Sequence, residues 1–156
     1  MKNTLIKLSI IALFFAALPN NAQAQTEIGV RWGELTGGDL GLDALIGVGK
    51  FSRVHATASF GGGATSFGID ALWDFIYRPL GGEAFMWYAG AGPFLGFGDV
   101  FQLGAAGELG LEYKFNFPIS ISMDFRPAFR FVEDTDFIAG FGFNVRYVFG
   151  GGGEGN

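Results

Sequence analysis

The chain has no cysteine and a single histidine. Disulfides and thiolate metal centres are thereby excluded, and the cysteine on which a lipoprotein anchor is built is missing. Basic residues are also scarce, ten Lys and Arg against fifteen Asp and Glu, a balance that argues against nucleic acid as a partner. Long apolar runs are absent but for the stretch from Leu8 to Leu18. A membrane-spanning helix needs roughly 20 such residues, so no segment qualifies as one.

What the N-terminus does contain is the layout of a secretory signal peptide. Lys2 and Lys7 flank the start of the apolar run, Pro19 breaks it, and Ala22, Gln23 and Ala24 supply small residues at a cut site. Cleavage is expected before Gln25, making 1–24 the leader. Removing it leaves 132 of the 156 residues, with eight basic side chains against fifteen acidic ones and a net charge of −7. That length suits one domain.

From Thr26 to Phe149 the chain alternates between bulky apolar residues and Gly, Ala, Ser, Asp, Glu or Arg. A period of two is a strand signal. In the last segment Phe137, Ala139, Phe141, Phe143, Val145, Tyr147 and Phe149 share one face, with Gly140, Gly142, Asn144 and Arg146 between them. Volume decides which face turns inward. A closed barrel of about eight strands is only just wide enough to be filled by side chains, so the rings must face out and the small and charged residues in. Water would then meet a broad apolar band, which soluble monomers avoid and a bilayer accepts.

Turn residues divide the mature chain into eight segments: Thr26 to Glu34, Leu40 to Gly49, Arg53 to Phe60, Phe67 to Tyr77, Glu83 to about Gly92 with Pro93 ending it, Val100 to Phe115, Ile119 to Arg130, and Phe137 to Phe149. The expected fold is all-β, an eight-stranded antiparallel up-and-down transmembrane β-barrel over 25–149, followed by a flexible glycine-rich tail over 150–156. An even strand count is the rule for single-chain bacterial barrels. It puts both ends on one side, with acidic tips at Asp39, Asp99, Glu133, Asp134 and Asp136 on the other. Rings near the rims, Tyr77, Trp87, Phe115 and Phe149 at one and Trp32, Phe60, Phe101 and Phe129 at the other, are expected to form interfacial girdles.

On these residues the chain resembles the small eight-stranded outer-membrane barrels of Gram-negative bacteria, the OmpX, OmpW and OmpA-barrel families. The resemblance covers residues 25 to 156. Its most specific part is the last strand, where Phe141, Phe143, Val145, Tyr147 and Phe149 look like the C-terminal signal read by the barrel-assembly machinery. It implies a monomer in the bacterial outer membrane, with membrane lipid and lipopolysaccharide around it, porin-like in form and without a cofactor.

Inward charges in a narrow barrel are costly unless paired. The candidate ion-pair network comprises Arg31, Asp43, Arg53, Asp70, Asp74, Glu108, Glu112, Asp124, Arg126 and Arg146. If Phe115 lies across from Ile119, Glu108 meets Arg126; if Phe60 lies across from Phe67, Arg53 meets Asp74 and Thr57 meets Asp70. Such a network can plug the lumen and fix register, which makes the protein structural, or it can gate a narrow pore as in OmpA-like barrels. Inward glycines, among them Gly90, Gly104, Gly110 and Gly142, either leave room for such a path or ease curvature. Leu45, Leu72, Ile76, Met86, Tyr88 and Val148 also point inward on this register, as an apolar plug or, as in OmpW-like barrels, a conduit for small apolar ligands. A lipid-modifying enzyme would need a nucleophile and base in reach of each other; His55, Thr57 and Ser59 are the only candidates, and they face the lumen. Enzymatic activity is therefore not expected. Nor is a metal site, since the acidic stretch from Glu133 to Asp136 is too small to cage Ca²⁺.

Overall fold

A computed structural model describes residues 25–33, 39–61, 65–132 and 135–150. The expected leader over 1–24, the tail beyond Gly150 and parts of three turns, Glu133 and Asp134 among them, lie outside the described residues. Eight strands follow in chain order: β1 (Thr26–Gly33), β2 (Leu40–Gly49), β3 (Ser52–Phe60), β4 (Thr65–Gly82), β5 (Phe85–Gly98), β6 (Gln102–Lys114), β7 (Ile119–Arg130) and β8 (Asp136–Phe149). Each pairs antiparallel with the next, and β1 closes on β8 through Thr26 opposite Phe149 to Gly33 opposite Gly142. Closure matters because it leaves no strand edge with unpaired amides.

The barrel is inverted relative to a soluble core. Phe141 is 70% exposed and Trp73 57%, whereas Arg31 and Arg146 are fully buried. In β6 the alternation is regular: Gln102, Gly104, Ala106, Glu108, Gly110 and Glu112 are buried, and Leu103, Ala105, Leu109, Leu111 and Tyr113 are exposed. Rings contact one another on the outer wall toward both ends. Where the chain enters and leaves, Tyr113, Phe115 and Phe117 form a file with centroids 5.0 and 4.9 Å apart, and Tyr147 lies 4.8 Å from Phe149. At the opposite end Phe60, Phe67, Phe97 and Phe101 make another, spaced 5.3, 6.1 and 5.6 Å.

The β4–β5 hairpin differs from the sequence expectation in two ways. Strand β4 runs on to Gly82 and β5 from Phe85 to Gly98, so the chain reverses at Glu83 and Ala84, with Pro93 in mid-strand. Pro93 is opposite Ala105 of β6 but has no partner in the β4 ladder, which is interrupted between Asp70 and Trp73. A residue with no N–H is accommodated where the ladder is broken. The second difference is a bulge: Asp74 pairs with Gly90, yet Ile76 pairs with Ala89. The extra residue, Phe75, stays outside, and the phase of the strand inverts beyond it. Tyr77, expected in a girdle, thus turns inward opposite Tyr88, while Ile76, expected inside, follows Ala89 to the outer face.

Large inner side chains are seated over glycines of adjacent strands. Tyr88 lies opposite Gly110 and Phe94 opposite Gly104, and a β-carbon on either glycine would run into the facing ring. A β-carbon at Gly142 would strike the Arg31 guanidinium. These glycines are sockets for a neighbour, neither empty passage nor merely relief of curvature. Toward the far end Leu72, Phe94, Ala106 and Ala128 pack into a small apolar layer, with Ile138 against it. Gly110→Ala should therefore overpack the Tyr88 socket and destabilise the refolded barrel by about 1–3 kcal/mol. Gly107→Ala, whose new β-carbon meets nothing nearer than 3.6 Å, should have little effect. Urea midpoints of the two variants in detergent check this pair.

Candidate functional site: a charged network across the lumen

Alternation sends the polar residue of each strand pair inward, and all ten side chains proposed for the network are buried there. The hairpin registers expected from the turns are the observed ones: Phe60 is opposite Phe67, Arg53 opposite Asp74 and Thr57 opposite Asp70. Arg53 Nε donates to Asp74 Oδ2 at 2.7 Å, and Arg126 Nη2 to Glu108 Oε2 at 3.0 Å. Spacing along a hairpin suffices to place those pairs.

Other bonds join strands that are not neighbours, and they tie the wall to itself across the axis. Arg53 Nη1 of β3 reaches Glu112 Oε2 of β6 at 2.7 Å. Arg126 Nη1 of β7 reaches Asp70 Oδ1 of β4 at 2.9 Å. Arg31 Nη1 of β1 donates to Asp124 Oδ2 of β7 at 2.5 Å, and Arg146 of β8 is held by Asp43 of β2. His55 of β3 joins three strands, with Nε2 2.6 Å from Asp43 Oδ1 and Nδ1 3.0 Å from Glu108 Oε1.

Several members are absent from the ten. Tyr77, turned in by the bulge, donates to Glu112 Oε1 at 2.7 Å and carries the Arg53 guanidinium 4.1 Å above its ring. Tyr88 donates to Asp124 Oδ2 at 3.2 Å. Asn144 Nδ2 donates to the same oxygen at 2.9 Å. At the near rim Lys114 Nζ lies 3.0 Å from Glu27 Oε1, and Ser120 donates to Glu27 Oε2 at 2.6 Å. Alternation alone would have found Glu27 and Asn144, which fall on the inward positions of β1 and β8. Tyr77 could not be found that way, because the bulge reverses its phase.

The five residues resembling an assembly signal lie on the outer face of β8. Phe141, Phe143, Tyr147 and Phe149 are exposed and Val145 half-buried. The acidic tip residues Asp39, Asp99 and Asp136 are exposed as well. No family model matches the chain, and no curated protein matches it.

Chemically the network is a lattice of charge-assisted bonds in which most carboxylates serve two cations and most arginines two carboxylates. Each ion gives up water on folding, and only this lattice replaces it. Arg126 is the most connected cation, bonded to Asp70, Glu108 and Thr57 Oγ1. Its removal strands Asp70 and leaves Glu108 with His55 alone. Arg126→Met should lower the unfolding free energy by about 3–5 kcal/mol, against no measurable change for Glu83→Gln at the exposed turn between β4 and β5. Equilibrium unfolding in urea with detergent present reads the difference.

Proposed function

We propose that this chain is an outer-membrane barrel whose role is structural, with a lumen closed by its own ionic lattice. The observation that carries the reading is the inverted wall: exposed aromatic and aliphatic side chains surround an interior of buried, ion-paired charges. An exposed apolar band of this breadth calls for a hydrocarbon partner. Files of contacting rings toward both ends suit the two interfaces of a bilayer, where aromatic side chains gather. The leader-like segment, the acidic charge and the resemblance of β8 to an assembly signal agree with export to the outer membrane as a monomer, with lipopolysaccharide and the barrel-assembly machinery as partners.

Bonds across the axis and the packed layer of Leu72, Phe94, Ala106 and Ala128 toward the far end support a closed lumen. A plug therefore accounts for the inward apolar residues better than a ligand conduit. A non-enzymatic role fits the surroundings of His55, which is buried between Asp43 and Glu108 and bonded to both. No acyl chain in the bilayer reaches it.

A gated pore is the second reading, favoured by one observation: several cations already have two carboxylates in reach. Arg53 contacts Asp74 and Glu112, and Arg126 contacts Asp70 and Glu108. An exchange of partners is what an ionic gate requires. The two readings part in planar bilayers. The plugged scaffold is silent as wild type and stays silent as Arg126→Ala; stepwise conductance of the wild type that rises in the variant would replace it with the gate.

A further inference from the structure

The buried charges do not balance. Among the described residues, seven of the eleven buried charged side chains are carboxylates and four are arginines. Lys114, one-fifth exposed, adds a fifth cation at the rim beside Glu27. The lumen is two positive charges short, and in a medium that screens weakly such a deficit must be filled.

The deficit has a location. Asp74 and Glu108 face each other across Gly90, which is opposite both and has no side chain to separate them. Arg53 holds Asp74 by Oδ2, and Arg126 holds Glu108 by Oε2. The second oxygen of Asp74, Oδ1, is buried without a hydrogen-bond partner, on a side chain with no exposed surface. A nitrogen of His55 and one oxygen each of Asp74 and Glu108 lie within 4.8 Å of one another.

We propose that His55, Asp74 and Glu108 form a binding site for one divalent first-row transition-metal ion such as Zn²⁺, held by His55 Nδ1, the free Asp74 Oδ1 and Glu108 Oε1. One imidazole nitrogen and two carboxylate oxygens form a donor set that suits Zn²⁺ at about 2.0–2.2 Å, and side-chain rotations that close the 4.8 Å cluster by about 1 Å bring the three together. The surroundings are those of a supported site. Asp43 Oδ1, 2.6 Å from His55 Nε2, accepts the proton on the nitrogen that does not ligate, an arrangement that orients metal-bound histidines. The two arginines fix the outer carboxylate oxygens and leave the inner ones for the ion. Arg126 and Arg146 also approach the ring, at 3.2 and 3.3 Å, and each is bonded to carboxylates of its own. Tyr88 meets the ring edge-on at 6.3 Å and contributes no charge.

Charge and protons then balance. Without metal, two protons fill the deficit: one on His55 Nδ1, donated to Glu108, and one shared between the Asp74 and Glu108 carboxyls. With metal, both leave for solvent, His55 becomes neutral with its remaining proton on Nε2, and the ion carries the two charges. Affinity must therefore fall as pH falls. The inference needs the closed barrel but not the bilayer, so it stands or fails separately from the proposed membrane role.

The untagged chain, refolded in detergent and titrated with Zn²⁺ in two buffers of different ionisation enthalpy, tests it. One ion per chain and release of about two protons are expected. Because His55 is the only histidine, its imidazole NMR signals must move at one equivalent, a readout that requires no variant. Asp74→Asn should weaken binding by more than about tenfold, while Asp99→Asn at the exposed far end should leave it unchanged. No binding, binding without proton release, unmoved His55 signals, or full affinity in Asp74→Asn would each overturn the site.

Discussion

The interior of an eight-stranded barrel is too narrow for bulk water and too small for rings on every strand, so whatever faces inward must be compact, or charged and paired. The rest of the molecule follows from that constraint. Arginine is the side chain that can cross such a space, because it reaches far and its donors can serve two carboxylates at once. Arg31, Arg53, Arg126 and Arg146 each do so or bond one carboxylate together with a polar neighbour. Some of their bonds run between strands that are not neighbours, and a slip of β3, β4, β6 or β7 by two residues would break Arg53 to Glu112 or Arg126 to Asp70. Register and charge pairing hold each other in place.

Glycine is the complement of this lattice. A ring or guanidinium can lie flat against the wall only where the adjacent strand offers no β-carbon, as at Gly110 beneath Tyr88 and Gly142 beneath Arg31. At Gly90 the same absence lets two carboxylates approach, and a structural device becomes a site with unfilled valence. A lattice of paired charges thus contains one position that is short of positive charge.

The eight strands were legible because a period of two persists across turns marked by Gly, Pro, Asn and Asp. The bounds of β2 and β7 agree with those read from sequence, and Arg53 with Asp74 follows from counting back from the turn at residue 61. Where the reading departed, a local irregularity was responsible. Phe75 adds one residue to β4, reversing Tyr77 and Ile76, and nothing in the composition of that stretch marks the bulge. Pro93 reads as a stop because it cannot donate, yet a gap in one ladder lets the strand continue. The bonds across the lumen were not legible either. They depend on how far each strand is staggered when the sheet closes, a property of all eight strands together rather than of any hairpin.

The account depends on rings facing hydrocarbon and charges facing the axis. All three tryptophans bear on it directly: Trp32 and Trp73 are 46% and 57% exposed on the outer wall, and Trp87 follows the same face. The most direct measurement is tryptophan fluorescence of the protein refolded into vesicles whose lipids carry bromine on the acyl chains. Strong quenching by the brominated chains, with little by aqueous acrylamide, is the expected result. Emission indifferent to the lipid and quenched from water would contradict it.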